Sequence, residues 1–440
     1  MSERMSRFRE LLREILPRNP FYARKYASLN PRPEDFRSRE DLRRLPFTTK
    51  AELVTDQQEH PPYGHILTYP LERYCRMHQT SGTSSGRPLC WFDTRESWEF
   101  ILDCWRISFP DMGLTARDRL FFPFSFGPFI GFWSAFEAAS REGFLCLPGG
   151  GMTSTARLRF LMEHEVTVVC CTPTYALHLA ELAAQEGIDL ASSPVRALIV
   201  AGEPGGAIPA TRQRIESVWG ARVFDHYGMT EVGPVAVERV ETPRTMSVIE
   251  PQHIAEVIQP NGTEPVADGE IGELVLTNLG RWGGPLIRYR TGDLVRARSA
   301  ERGTRNQKAE RSEFRVPRSE LLLEGGILGR TDDMIHLRGN NLYPAAIEAV
   351  VRRFPEVAEF RVVVDQSGPL ADLHIEVEPA AGAATVGLAE VVSRAIRDEL
   401  LFRVEVAAVP PGTLPRFESK ARRVLRIGVT ETQRRREDIR

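Results

Sequence analysis

The chain has 440 residues, which exceeds what one hydrophobic core organises, so two or three structural units are expected. Its composition, 42% hydrophobic and 26% charged with a net charge of -2, is typical of a globular protein and speaks against a polyanion-binding surface. The first residues lack the apolar core of a secretory signal, and no apolar run is long enough for a membrane span. We therefore expect a cytoplasmic protein without a nucleic-acid or membrane partner.

The first 330 residues alternate short apolar runs with amphipathic stretches. The apolar runs are each closed by Gly or Pro and predict strands at 118–125, 142–150, 166–173, 195–204 and 221–228. Between them, apolar residues recurring every three to four positions predict helices at 156–165, 174–187 and 211–220. This βαβ rhythm predicts a mostly parallel sheet covered by helices.

The pattern of apolar and turn residues changes near residue 248. Short strands with Gly and Asn-Gly turns predict a small antiparallel β unit over 248–296. The charged segment Ala297–Ser319 is interpreted as an exposed loop without core residues. The order helix, strand, strand, helix, strand then predicts a small α+β domain. We expect an α/β protein with a large N-terminal domain, 1–329, of mostly parallel sheets plus a small β subdomain, and a small mobile C-terminal α+β domain, 330–440.

The segment HQTSGTSSGRPL at 78–89 concentrates glycines and hydroxyl groups between two apolar segments. Glycines let backbone N–H groups converge on an anion, and hydroxyls add donors, so this pattern is suited to binding phosphate. Gly82 and Gly86 are followed by Arg87-Pro88, which does not match GxxxxGK[ST] and disfavours a P-loop. Taken alone, the pattern is equally typical of a surface loop.

Four further motifs accompany this loop. They are DHYGMTEVGP at 225–234, YRTGDLV at 289–295, GRTDDMIHLRGNNLYP at 329–344 and LPRFESKARRVLR at 414–426. With these motifs, in this order and at this spacing, the chain resembles the adenylate-forming superfamily of acyl-CoA synthetases, adenylation domains and luciferases, and within it the phenylacetate–CoA ligase branch. The resemblance runs from about residue 40 to about residue 426. It implies ATP-dependent activation of a carboxylic acid as an acyl-adenylate, followed by transfer to the thiol of coenzyme A.

The resemblance also assigns the β- and γ-phosphates of ATP to the loop rich in glycine and hydroxyl groups. Its members are Ser81, Gly82, Thr83, Ser84, Ser85 and Gly86. The loop carries one serine more than the family pattern, so the identity of the individual phosphate donors is left open.

The other motifs supply the remaining nucleotide contacts by resemblance. Tyr227 would stack on adenine, while Thr230 and Glu231 would meet the α-phosphate and its Mg²⁺, a hard cation that takes carboxylate and phosphate oxygens. Asp293 would accept both ribose hydroxyls, and Arg330 would reach the same ribose.

Catalysis is assigned by resemblance to Lys420, whose ammonium group would bridge the acyl carboxylate and the α-phosphate. Ser419 stands before it where the family usually has Gly, and a backbone that needed positive φ there would be restricted. Glu203 matches the adenine-side loop of the family, although an ordinary strand-to-helix turn explains it nearly as well.

The acceptor step rests, by resemblance, on the C-terminal domain. Family members rotate this domain about a hinge between the two half-reactions, and Asp332 matches the hinge position. Gly339 lies where a pantetheine arm would pass closely, with a plain turn glycine as the alternative interpretation.

The acid is expected to be small and aromatic. The run 121–136 interleaves phenylalanines and a tryptophan with glycines, more rings than one strand needs for packing. About half of them should be core residues. By family position, Phe126, Phe129 and Gly228 are the expected pocket walls.

Alternative functions remain open at this point. The acceptor could be an amine, a hydroxyl or a carrier-protein thiol, and a nucleotide-binding regulator without catalysis is a further hypothesis. A homodimer is possible, since the sequence does not fix the oligomeric state. The six cysteines all precede residue 172 and show no CxxC spacing, so we expect reduced thiols and no structural zinc.

Overall fold

The computed structural model describes residues 3–80, 88–299, 321–337, 340–365, 372–383, 385–418 and 420–427. The helices are α1 Glu3–Ile15, α2 Pro20–Lys25, α3 Lys50–Glu59, α4 Arg95–Asp111, α5 Trp133–Arg141, α6 Ser154–Glu163, α7 Pro173–Gln185, α8 Pro209–Trp219, α9 Pro344–Val351 and α10 Leu388–Leu400.

The strands form sheets in two parts of the chain. They are β1 Tyr74–Gln79, β2 Cys90–Thr94, β3 Arg119–Phe122, β4 Leu145–Pro148, β5 Val168–Cys171, β6 Ala197–Ala201, β7 Arg222–Met229, β8 Gly233–Arg239, β9 Thr242–Val248, β10 His253–Ile258, β11 Ile271–Asn278, β12 Tyr289–Ser299, β13 Leu321–Arg330, β14 Ile335–Leu337, β15 Asn340–Leu342, β16 Val357–Asp365, β17 Asp372–Pro379, β18 Glu405–Ala408 and β19 Val424–Ile427.

The first unit comprises Met1–Leu147 and Phe224–Ile327. Its strands run in the order β10-β11-β12-β13-β9-β8-β7, and the neighbours β10/β11, β11/β12, β13/β9, β9/β8 and β8/β7 are antiparallel. The antiparallel β unit predicted over 248–296 corresponds to β10, β11 and most of β12. This sheet carries the two motifs at 225–234 and 289–295.

The N-terminal helix α1 anchors the start of the chain to this unit. Its buried residues Phe8, Leu11, Leu12 and Ile15 recur at helical spacing and line one face. They pack in the same core as apolar residues of β11 and β12, such as Leu276. Burying this stripe stabilises a helix that would be marginal in isolation.

The second unit comprises Pro148–Val223 and Leu328–Arg440. Its first part contains the parallel pair β5/β6, as the βαβ rhythm predicts, with α6, α7 and α8. Its second part contains a sheet in the order β18-β17-β16-β19, in which β16/β17 is antiparallel and the outer pairs are parallel. Helices α9 and α10 bury Ile347 and Val392 in the same core as Ile375 of β17.

Threonine caps set the starts of helices α6 and α7. The Thr153 hydroxyl accepts the Ala156 N–H at 3.2 Å at the start of α6. The Thr172 hydroxyl accepts the Tyr175 N–H at 3.1 Å at the start of α7, where Pro173 occupies the first helical position. Both caps satisfy backbone donors that a helix leaves unpaired.

Each predicted helix and strand has a described counterpart, and the structure adds elements that the sequence did not predict, among them α1 to α5, β1, β2, β8, β9 and β13 to β15. A further strand, β19, follows the predicted order of the C-terminal part. The expectation that the segment from Ala297 holds no core residue is wrong for Ala297 itself, which is buried between the exposed Arg296 and Arg298 of β12. The remainder, 300–319, lies outside the described residues.

All six cysteines lie within the described residues. Cys75 is exposed, Cys90 and Cys146 are half-buried, and the other three are buried. Burial raises the pKa of Cys104 and Cys171 well above the usual thiol range, and that of Cys146 to about 11. Separately, in the described part of the chain, no helix combines the length and apolar character needed to cross a bilayer.

Candidate functional site

The hydroxyl- and glycine-rich loop connects the paired strands β1 and β2, whose last matched residues are Gln79 and Cys90. Thr80 closes the neck of this hairpin, because its N–H donates to Leu89 O at 3.0 Å and its hydroxyl accepts the Leu89 N–H at 2.9 Å. Ser81, Gly82, Thr83, Ser84, Ser85 and Gly86 lie outside the described residues. Their phosphate-binding role stays a prediction.

A buried tyrosine–carboxylate pair joins the two nucleotide motifs of the first unit. The hydroxyl of Tyr227 on β7 donates to Asp293 Oδ2 on β12 at 2.5 Å, and both residues are buried. The Asp293 N–H donates to the Thr291 hydroxyl at 3.0 Å, which fixes the backbone beneath the carboxylate. A pre-oriented carboxylate of this kind suits the predicted recognition of ribose hydroxyls.

Gly228 occupies a β-bulge, because the register of β7 and β8 shifts between Tyr227 and Gly228. A Cβ on Gly228 would lie 2.8 Å from Gly233 O and 3.1 Å from Pro234 Cα. Both neighbours are backbone atoms, so no side chain fits without moving the strand. Gly228 is itself exposed, and its role as a pocket wall stays a prediction.

Glu231 is a buried carboxylate with two partners that sequence reasoning missed. Its Oε1 accepts the Tyr289 hydroxyl at 3.3 Å and lies 3.8 Å from the ammonium group of Lys50. Carboxylate and hydroxyl oxygens are hard donors, so the Glu231 carboxylate and the Thr230 hydroxyl would suit Mg²⁺, which would neutralise charge on the phosphates there.

The backbone at Thr230 is held by a fully buried ion pair. Arg281 donates to both carboxylate oxygens of Asp93 at 2.6 and 2.7 Å, and a third N–H of Arg281 reaches Thr230 O at 2.6 Å. Neither charged side chain is exposed to solvent. The ion pair therefore supports the motif through its main chain.

No local signal in the sequence identifies these supporting residues. Asp93 and Arg281 are 188 positions apart, and each stands in an unremarkable apolar context. Lys50 reads as an ordinary first-turn residue of a capped helix. Their roles depend on tertiary proximity, which periodicity and motif spacing do not encode.

The aromatic run after β3 forms a cluster of rings. The ring centroid of Phe126 lies 4.7 Å from that of Phe124 and 4.4 Å from that of Trp133. Phe126 is half-buried, whereas Phe129 is 42% exposed and lies over the α-carbon of Gly131. Offset and edge contacts of this kind leave ring surface available to a flat ligand.

In the second unit, Lys420 lies beside the loop that follows β6. A Cβ on Gly202, which has φ +97°, would lie 3.1 Å from Lys420 Cε, so the lysine stem crosses this glycine. The next residue, Glu203, accepts the Thr174 N–H at 2.7 Å and the Ala421 N–H at 2.9 Å. These contacts tie Glu203 to the lysine segment, and its expected role beside adenine stays a prediction.

The predicted hinge and ribose residues bind each other. Arg330 donates to the two oxygens of Asp332 at 2.7 and 2.9 Å. Burial raises the pKa of the neighbouring Asp333, and the charge of Asp332 adds to this effect. Gly339 and Ser419 lie outside the described residues. The hinge, ribose and thiol-tunnel assignments stay predictions.

A separate polar cluster joins Asp56, His60 and His65 at the end of α3, and their potential ligand atoms lie within 4.8 Å of one another. The guanidinium group of Arg24 contacts all three, at 2.8 Å from Asp56 Oδ1 and 3.1 Å from each imidazole. Arg24 therefore supplies the positive charge at this point, and the cluster is a satisfied hydrogen-bond network.

Comparison with known proteins identifies two matching family models. The family model described as AMP-binding enzyme matches residues 74–280, and the model of the AMP-binding enzyme C-terminal domain matches residues 339–426. The crystal structure of 2-hydroxyisobutyryl-CoA ligase in complex with 2-HIB-AMP is similar with a TM-score of 0.86 and 29% identity, covering 99% of this chain and 91% of that one.

Two curated relatives match over most of their length. The phenylacetate-coenzyme A ligase of Thermus thermophilus is 31% identical, covering 95% of this chain and 94% of the relative. The phenylacetate-coenzyme A ligase of Escherichia coli is 30% identical, covering 92% and 90%. With this identity over nearly the full length, the chain belongs to the phenylacetate-coenzyme A ligase family of AMP-binding enzymes and is an AMP-forming acid–CoA ligase.

Proposed function

We propose that this ligase activates a small aromatic carboxylic acid with ATP and transfers the acyl group to coenzyme A. Acid–CoA ligation follows from the family, whereas the aromatic acid is our proposal. The observation that carries it is the ring cluster around Phe126, in which the exposed Phe129 sits over a glycine. Such surfaces bind planar apolar groups through stacking and edge contacts.

In the first half-reaction, an oxygen of the acid's carboxylate attacks the α-phosphorus of ATP in line, and the bond to the leaving pyrophosphate breaks. Negative charge grows on the equatorial oxygens, so a positioned ammonium group lowers the barrier. We assign that group to Lys420. Asp293, oriented by Tyr227, would hold the ribose while Glu231 and Thr230 hold Mg²⁺. When bound, Mg²⁺ neutralises charge on the phosphates.

In the second half-reaction, the thiol of coenzyme A loses its proton to water and its sulfur attacks the acyl carbonyl carbon, and AMP leaves with the electrons of the acyl–phosphate bond. The ammonium group of Lys420 is not needed at that stage. We therefore propose that the C-terminal domain, 330–440, changes its position about Asp332 between the steps, with Gly339 beside the thiol arm.

Substrate screening tests the proposed acid. ATP–pyrophosphate exchange would be measured with benzoate, hydroxy- and aminobenzoates, phenylacetate, 2-hydroxyisobutyrate and straight-chain C4–C8 acids, each with and without coenzyme A. We expect the highest kcat/KM for an aryl acid, and AMP release that depends on coenzyme A. A preference for 2-hydroxyisobutyrate or a straight-chain acid would contradict the proposal of an aromatic acid. AMP release that requires an amine and not coenzyme A would contradict the proposal of coenzyme A as the acceptor.

A further inference from the structure

The segment Arg416–Arg423, called here the lysine segment, is attached to the first part of its own unit along its length. Hydrogen bonds from its described residues reach α6, α7 and the loop after β6. They are Arg416 to Glu181, Glu418 to Arg157 and Ser154, Ala421 to Glu203, and Arg423 to Thr174. These contacts lie on both sides of Lys420.

Glu418 binds a polar site built at the start of α6. Its Oε2 accepts from Arg157 at 3.1 Å, and its Oε1 accepts the Ser154 hydroxyl at 3.1 Å. Arg157 is 2% exposed and also donates to Gly149 O at 2.9 Å and the Tyr175 hydroxyl at 2.8 Å. Gly149 O and the Tyr175 hydroxyl are neutral, so among these three partners Glu418 supplies the negative charge that faces Arg157.

Glu203 holds the other side of the lysine. Its two oxygens accept one N–H from the start of α7, at Thr174, and one from Ala421, directly after Lys420. One carboxylate thus joins the lysine segment to a helix end with favourable dipole orientation. Because Glu203 follows Gly202, over which the lysine stem passes, the same turn contacts Lys420 and fixes its backbone.

Arg416 and Arg423 connect this arrangement to the C-terminal sheet. Arg416 donates to Glu181 on α7 and to Glu378 on β17, at 2.9 and 2.7 Å. The pKa of Glu181 is lowered to about 2 by a hydrogen bond with His178 and by Arg416. Glu181 is therefore ionised near neutral pH.

We propose that Glu203 and Glu418 are positioning residues that hold Lys420 in place for adenylation and release it for thioester formation. This inference rests on the proposed role of Lys420. The physical reason is that an ammonium group on a flexible four-carbon stem stabilises a transition state well only when its backbone is fixed on both sides. The buried Arg157 favours the attached state, since detachment leaves its charge without a carboxylate.

Measuring the two half-reactions separately distinguishes a role in positioning Lys420 from a purely structural role. Glu418→Gln and Glu203→Gln would be compared with wild type in single-turnover assays, measuring pyrophosphate release without coenzyme A and acyl-CoA formation from supplied acyl-adenylate. Phenylacetate would be used, or the best acid of the screen above. We expect adenylation to fall about 10–100-fold in both variants, the effect of losing one charge-assisted hydrogen bond, with transfer unchanged in Glu418→Gln. Glu418→Asp should recover part of the adenylation rate.

Glu399→Gln is the matched control, since Glu399 forms an exposed ion pair with Arg353 in the same part of the chain. It should change neither half-reaction. Equal losses in both half-reactions for Glu418→Gln, or no loss in either, would overturn the proposal. Lys420→Ala distinguishes a failure of the proposed lysine role from a failure of the positioning role. If Lys420→Ala keeps adenylation, the role proposed for the lysine is wrong. If Lys420→Ala loses adenylation and Glu418→Gln does not, only the positioning role is wrong.

Discussion

The hydroxyl of Tyr227 donates a 2.5 Å hydrogen bond to the carboxylate of Asp293, and so connects two motifs that lie 66 positions apart. Tyr227→Phe removes this bond while it keeps a ring that can stack on adenine. We expect KM for ATP to rise by about 10–100-fold, corresponding to a charge-assisted hydrogen bond of about 1.5–3 kcal/mol. Tyr227→Ala should raise it further. Initial rates over a series of ATP concentrations give KM for both variants. An unchanged KM in Tyr227→Phe would show that the Tyr227–Asp293 hydrogen bond does not contribute to nucleotide binding.

Asp93→Asn tests the buried ion pair beneath Thr230. The substitution leaves the charge of Arg281 buried without its partner, so we expect a loss of about 3–5 kcal/mol in the free energy of unfolding. Urea denaturation followed by circular dichroism measures this. Asp103→Asn is the control, because Asp103 and Arg106 form an exposed pair whose loss should cost at most about 1 kcal/mol. Similar losses in the two variants would show that the buried pair contributes nothing particular.

Lys420→Ala should abolish formation of the acyl-adenylate and leave transfer from supplied acyl-adenylate largely intact. The charge is needed while pyrophosphate departs and not afterwards. Rapid-quench assays of each half-reaction measure the two rates. Equal loss of both would assign the lysine to folding or to general binding.

Truncating the rings tests the acid pocket. Phe126→Ala and Phe129→Ala should each cost about 1–3 kcal/mol in kcat/KM for the best aryl acid, with a smaller effect on a short aliphatic acid. Phe144→Ala is the control, since its ring packs on Phe109 outside the cluster. If selectivity between acids is unchanged in both pocket variants, the rings serve packing alone.

Two buried histidines predict the pH dependence of stability. Burial lowers the pKa of His226 to about 3 and that of His253 to about 4. The unfolded chain takes up protons at these positions near pH 6.5, whereas the folded chain does not, so this stability is complete above pH 6.5 and falls as pH drops. At pH 5 each histidine should lower the free energy of unfolding by about 2 kcal/mol relative to its value above pH 6.5.

Unfolding free energies measured from pH 7 to pH 5 check this slope. His226→Gln should flatten it, even if the variant is less stable overall, because His226 stacks on Trp105. His164→Gln, at an exposed histidine, should leave the slope unchanged. An equally steep slope in His226→Gln would contradict the assignment.

Much of the fold could be predicted because its signals are local. The apolar runs of β3 to β7 and the spacing of apolar residues in α6, α7 and α8 require no knowledge of tertiary contacts. The antiparallel β unit was visible from its turns. By contrast, β19 is short, with exposed residues alternating with half-buried ones, and its pairing with β16 joins two segments that are far apart in the chain.

The candidate site likewise contains residues that the sequence identifies and residues that it does not. Tyr227, Thr230, Glu231, Asp293 and Lys420 could be proposed because they stand in motifs at family spacing. Their supports could not, since Glu203 and Ala421 lie 218 positions apart and a carboxylate bound to two backbone N–H groups has no signature in either segment. Residues that carry out chemistry are limited in type, whereas many residue types can hold them in place.

The distribution of thiols has a practical consequence for following this enzyme in solution. Cys75 is exposed on β1, six positions before Ser81, whereas Cys104, Cys170 and Cys171 are buried. A maleimide dye should therefore modify Cys75 first, with Cys90→Ser removing the half-buried thiol on the opposite strand of the hairpin. Such a dye would sit at the base of the hairpin whose tip is predicted to grip the nucleotide, and its emission would report nucleotide arrival without a radioactive or coupled assay.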